Sequence, residues 1–256
     1  MVMELKTMTE QNVSPIGRAA KNKIVSLRRF IESKNEALLS HRYFRLCRSR
    51  EIGRQQMLEI VKQLYCFSVF FERLLTRRIA EYRTGMDPRV IAIARKHLRE
   101  EIGHAELFFR CLAENGVEAD ALAVLTPKMF TTALFGYLTA TIQHENEYVT
   151  NVAIMQVMEG IGFHFFSATL EQMQAHGMMA DAMQAHSDDD EEHAHWGIEL
   201  AAQFDERTML GCERVVSDIY RLMGFVLDEW LGLPNVSPSA TPERRRRTSR
   251  PARPTN

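Results

Sequence analysis

The segment His186-Ser-Asp-Asp-Asp-Glu-Glu-His193-Ala-His195 packs imidazoles and carboxylates into ten positions. An α-helix advances about 100° per residue, so His186, Asp190 and His193, at i, i+4 and i+7, fall within about 60° of one another. The same stripe carries Met179, Met183, Gly197, Leu200, Ala201 and Phe204, which makes these three the inward-facing members. Asp188, Asp189, Glu192, His195 and Glu199 fall on the wet face.

Three further places put ionisable groups on apolar stripes. Glu101 and His104 lie about 60° apart on a helix, sharing a face with Ala94, Leu98, Ala105, Phe108 and Leu112, while Glu100 and Glu106 fall off it toward solvent. His97, one turn earlier on that face, reads as a core histidine or as a support for a ligand rather than a ligand itself. Glu159 shares its stripe with Val152, Met155, Phe163, Phe166 and Leu170, with Gly160 and Gly162 beside it and His164 on the opposite side. Glu72 lies with Tyr65, Ser68, Val69, Leu75 and Ile79, and stays open between a seventh ligand and the partner of an arginine such as Arg77.

Taken singly, each feature has a plain explanation. A Glu-x-x-His spacing recurs by chance, a lone buried acid is usually salt-bridged, and a charge run is usually solvated. Together they place three carboxylates and three imidazoles in an apolar core, and something must compensate them. Two divalent ions would do so, and a mixed N/O donor set with open positions suits Fe(II) or Mn(II). Cys47, Cys66, Cys111 and Cys212 form no C-x-x-C pair, which argues against a zinc–thiolate centre or a disulfide framework and for reduced core thiols. Met129, Phe130, Phe135, Phe163 and Phe166 pack a core or wall a cavity, and Arg73, Arg77 and Arg110 are candidate anchors for a substrate carboxylate.

The elements that carry these residues are helices. Of eight prolines, five lie at or beyond Pro234, and between Pro15 and that point only Pro88 and Pro127 intervene. Asp87-Pro88 and Thr126-Pro127 each read as an N-cap with proline in the first turn, and Asn115-Gly116 as a stop. The pattern predicts helices over about 17–34, 36–48, 51–84, 88–114, 127–145, 147–175, 179–203 and 205–231, with a short turn near Glu118 to Val124. No alternating run predicts a sheet, so the fold class is all-α. One domain over 17–233 is expected, after a flexible segment 1–16 and before a disordered tail 234–256 rich in Pro, Ser, Thr and Arg.

Charge and hydropathy narrow the setting. Six arginines and one glutamate occupy residues 234–256, so the rest of a chain of formal charge −1 is mildly acidic, and no nucleic-acid partner is expected. The apolar runs are too short to span a bilayer, and the start, Met1 to Ser14, lacks the pattern of a leader. The expectation is a cytoplasmic protein without membrane contact.

With these motifs in place, the chain resembles the haem-oxygenase-like di-iron oxidases, the iron-containing redox enzymes. The resemblance rests on Glu101-Ile-Gly-His104-Ala, Met158-Glu159-Gly160 and His186-x-x-x-Asp190-x-x-His193, in that order, and covers about residues 50–205. The undecene-forming fatty-acid decarboxylase branch shares the short Glu-x-x-His form and a turn like Gly116-Val117. The resemblance implies a haem-oxygenase-like bundle of about seven to eight helices. It implies two iron ions held by Glu101, His104, Glu159, His186, Asp190 and His193, with O2 as co-substrate. The expected activity is oxidation of a small organic substrate in a biosynthetic pathway, either N-oxygenation or fragmentation of an amine or amino acid, or decarboxylation of a fatty acid. An external electron donor and a homodimer are allowed for. A ferritin-like bundle is the rival, since Glu72, Glu101-x-x-His104, Glu159 and Glu192-x-x-His195 also fit its pattern. A metal-free relative of the thiaminase or quinone-cofactor-synthase type, using the pocket acids for acid–base work, is the other.

Overall fold

In the computed structural model, residues 15–233 are described and all regular structure among them is helical. The expectations for 1–14 and for the tail 234–256 lie outside these residues. Pro15 and Ile16, expected in the flexible segment, begin helix α1, Pro15–Leu39. The break expected near residue 35 falls instead at 40–41, where His41 Nδ1 accepts from Tyr43 N and starts α2, Arg42–Ser49. Helix α3, Arg54–Ala80, crosses the molecule, and Asp87 caps α4, Pro88–Glu101, by accepting from Arg89 N at 2.9 Å.

The single helix expected over 88–114 is two. Gly103 takes φ +101, and α5, His104–Glu114, starts afresh. The cause is a long-range contact: Glu72 Oε1 accepts from Gly103 N and Ala105 N, both at 3.1 Å, so a carboxylate from α3 satisfies the first free N–H groups of α5. Asn115-Gly116 ends α5 as expected, with Gly116 at φ +86. The expected turn near Glu118 holds a one-turn helix α6, Ala119–Ala123, and α7, Met129–His144, starts two residues after Pro127.

The centre of the bundle is one continuous helical path from α8, Glu147–Asn151, through a π-helical stretch, Val152–Glu159, into α9, Gly160–Ala175. All eight π-helical residues are buried, because neighbouring elements cover this stretch on every side. Helix α10, Asp181–His193, packs along α9 and against α5. It ends at His193 rather than running to 203, and Met179, expected in its core stripe, precedes it and is exposed. The Trp196 carbonyl accepts from Gln156 Nε2 (2.6 Å) and Asn151 Nδ2 (3.4 Å), and Gly197 turns at φ +81. A Cβ there would lie 2.7 Å from Asn151 Nδ2, so glycine alone fits. A 3-10 turn, Ile198–Gln203, leads into α11, Glu206–Trp230. None of the described helices is long and apolar enough to cross a membrane.

Candidate metal centre

Four elements converge on one buried cluster. Helix α4 delivers His97 and Glu101 from its last two turns, α5 delivers His104 from its first residue, the π-helical stretch ends on Glu159, and α10 delivers His186, Asp190 and His193. His97, Glu101, Glu159, His186, Asp190 and His193 are all buried, and His104 is half-buried. The six residues named as ligands are therefore brought together. Glu72 is not among them, since it caps α5. Glu192 and His195, the ferritin-like alternative, are exposed. The side chains of Asp188 and Asp189, expected on the wet face, lie outside the described residues.

The geometry divides around Glu101. Its Oε2 lies 3.0 Å from His104 Nδ1, while Oε1 lies 3.6 Å from His97 Nε2 and 3.8 Å from His193 Nδ1. Glu159 faces the second group, with Oε1 3.2 Å from His97 Nε2 and Oε2 3.5 Å from His193 Nδ1. Asp190 Oδ1 is 3.3 Å from His186 Nδ1. The His186 ring is held between Phe166, stacked at 4.3 Å, and Phe108, at 5.4 Å. Outside the cluster, Glu100 Oε2 lies 3.2 Å from His193 Nε2.

Without a cation these charges interact strongly. Burial opposes ionisation of Glu159, but the charge on His97 prevails and holds its pKa below the usual value. Burial likewise opposes ionisation of Glu101, and the rings of His104 at 3.0 Å and His97 at 3.6 Å hold its pKa below the usual value. Burial opposes protonation of His97, yet the Glu159 and Glu101 carboxylates carry its pKa up to about 9. Asp190 has the opposite fate: burial, then the negative charges of Glu159 and Glu101, push its pKa well above the carboxylate range.

Residues of this kind fit a metal. His97 Nε2, His193 Nδ1 and Glu101 Oε1 are buried without a hydrogen-bond partner, and all three face one point. Ligand atoms of His97, Glu101, Glu159 and His193 lie within 4.8 Å of one another, as do those of Glu101, His104 and His186. The donors are all nitrogen and oxygen, matching iron or manganese rather than a thiolate-bound metal. Buried polar atoms left unmade are costly, and a bound cation would satisfy them.

A narrow cavity of about 50 Å³ opens on the cluster between Glu101, Glu159, His186 and Asp190. Its far walls are Phe67, Phe71, Phe165, Met223 and Trp230. Of the five residues expected to wall it, Phe166 does; Phe135 packs in the core against Phe67, Phe130 stacks on Phe225, Phe163 faces a separate cleft with His164 and His195, and Met129 is exposed. Arg73, Arg77 and Arg110 are exposed and line no part of it. The buried arginine is Arg78, whose Nη2 donates to Asn151 Oδ1 at 2.8 Å.

No family profile matches the sequence and no curated protein matches it. Solved structures do match in fold. A TenA homologue from Pseudomonas syringae is 15% identical with a TM-score of 0.65, over 88% of this chain and 100% of that one. A domain of unknown function with a heme oxygenase-like fold from Shewanella denitrificans is 14% identical with a TM-score of 0.69, over 82% and 92%. A TenA family transcription regulator from Silicibacter is 14% identical with a TM-score of 0.63, over 85% and 98%. Identities this low establish the fold, which is the all-α haem-oxygenase-like bundle expected from sequence.

Proposed function

We propose that this chain is a di-iron oxidase that uses O2 to oxidise a small substrate with a hydrocarbon body and one polar end. The observation that carries the reading is the convergence of carboxylate and imidazole groups from four elements beside an apolar cavity, with ligand atoms of His97, Glu101, Glu159 and His193 within 4.8 Å of one another. Two ferrous ions held there would supply the electrons that activate O2. Glu101, His104, Glu159, His186, Asp190 and His193 would hold them, with Glu101 positioned to reach both.

The protein's own contribution is binding and exclusion of water. Phe67, Phe71, Phe108, Phe165, Phe166 and Trp230 give an apolar wall, and no lysine or arginine lines it among the described residues. A substrate carboxylate would therefore be received at the metal end, with its chain between the aromatic walls, which would have to part because a cavity of about 50 Å³ is too small for it. This favours a fatty acid over a charged amino acid. Oxidative decarboxylation of such an acid to a terminal alkene and CO2 releases two electrons and two protons. Reducing O2 to two waters takes four of each, so an external donor supplies two electrons and solvent two protons. Anaerobic Fe(II) loading, exposure to O2 with saturated acids of graded length, and detection of alkene test this. Bound iron with product supports the reading, and bound iron without oxygen uptake contradicts it.

A metal-free, thiaminase-like activity is the second reading, favoured by the TenA homologues among the similar folds. It predicts turnover that survives a strong chelator and needs no O2.

A further inference from the structure

The spacing His186-x-x-x-Asp190-x-x-His193 occurs a second time, as His97-x-x-x-Glu101-x-x-His104. The fold lays the two triads antiparallel and pairs them end to end. The rings of His97 and His193 lie 5.3 Å apart at one end, and those of His104 and His186 lie 4.4 Å apart at the other, with Glu101 and Asp190 the central acids. Glu159 breaks this approximate twofold relationship by joining only the His97 end.

We infer that His97 is itself a metal ligand, so that each ion receives two imidazoles, one from each triad. The inference deepens the di-iron reading and rests on it. One position is made by His97 Nε2, His193 Nδ1, Glu159 and Glu101 Oε1. The other is made by His104, His186, Asp190 and Glu101 Oε2. His97 is fully buried and aims Nε2 between two carboxylates, 3.2 Å from Glu159 Oε1 and 3.6 Å from Glu101 Oε1, the same two that His193 Nδ1 faces. Its Nε2 and the three other donors lie within 4.8 Å of one another, a spread that small adjustments close around a cation with donors about 2.0–2.2 Å away.

Both positions border the cavity, the first through Glu159 and Glu101 and the second through Glu101, His186 and Asp190, while His97, His193 and His104 stand behind them.

The test uses full-length protein labelled with 15N at histidine, loaded with Zn(II) and freed of excess. Two zinc ions per chain and metal-shifted ring nitrogens from four of the nine histidines, His97 among them, are expected. His97→Ala is expected to keep about one zinc and to lose the His193 shift, while His104 and His186 stay shifted. His97→Gln is expected to do the same, and circular dichroism checks that either variant is folded. Two zinc ions with only three shifted imidazoles and His97 unshifted, or a folded His97→Ala holding both ions unchanged, overturns the inference and leaves the di-iron reading intact. A wild-type protein that takes up no zinc and no Fe(II) overturns both.

Discussion

Glu100 accepts from His193 across 3.2 Å at Nε2, which turns the other ring nitrogen, Nδ1, toward Glu159 and Glu101. The carboxylate favours the proton on Nε2 and leaves a lone pair on Nδ1 for a cation.

Glu100→Ala is therefore expected to weaken metal binding by about 10–100-fold while leaving the helix content unchanged. Competition for bound metal against a coloured chelator measures it. An affinity equal to wild type would assign Glu100 to the surface alone.

Asp87 positions the helix that carries His97 and Glu101. Its carboxylate accepts from Arg89, Tyr148 and Gln203, and these bonds, Arg89 first, hold its pKa well below the usual value. Asp87→Ala is expected to cost about 1 kcal/mol of stability near neutral pH. A depressed folded-state pKa means the contribution is full above the unfolded value of about 3.9 and fades as pH falls below it. Urea midpoints of the two proteins should converge in acid; a gap independent of pH contradicts the assignment.

Gly162 lies against the cluster, and a Cβ there would overlap Asp190 Oδ2. Gly162→Ala is expected to destabilise the protein by about 1–3 kcal/mol and to lower the metal count, because Asp190 must move. Thermal unfolding with metal analysis reads both effects. Unchanged metal content would place Asp190 outside the donor set.

Much of this was legible in the sequence, and the misses share one cause. Asp87-Pro88 and Asn115-Gly116 act through neighbouring residues, so the start of α4 and the end of α5 could be placed directly. The break at Gly103 depends on Glu72, thirty-one residues away, and the end of α10 depends on Asn151 and Gln156 gripping the Trp196 carbonyl. Periodicity carries no trace of such contacts. Glu100 lies off the apolar stripe of α4, is 40% exposed and meets Lys96 along its own helix; only the approach of α10 brings it His193. For His97 the signal lies beyond its own stripe, in a spacing to Glu101 and His104 that repeats that of His186, Asp190 and His193.

Asp190 gives the site a cost that can be measured without metal. Its pKa lies well above the unfolded value, first through burial and then through the charges of Glu159 and Glu101. The folded apo-protein thus holds a proton that the unfolded chain releases, and stability falls as pH rises above about 3.9. Asp190→Asn is expected to remove part of that fall while reducing bound metal from about two ions to one. Urea unfolding of chelated protein across pH checks the first effect; identical slopes for wild type and variant would refute it.

Glu101 faces both proposed cation positions, so its removal tests the di-iron reading most directly. Iron should be counted in protein loaded anaerobically with Fe(II) and passed through a desalting column, beside Glu101→Ala treated in parallel. About two irons per chain are expected in the wild type and almost none in the folded variant. A wild type that emerges without iron, or a variant that keeps both ions, would contradict it.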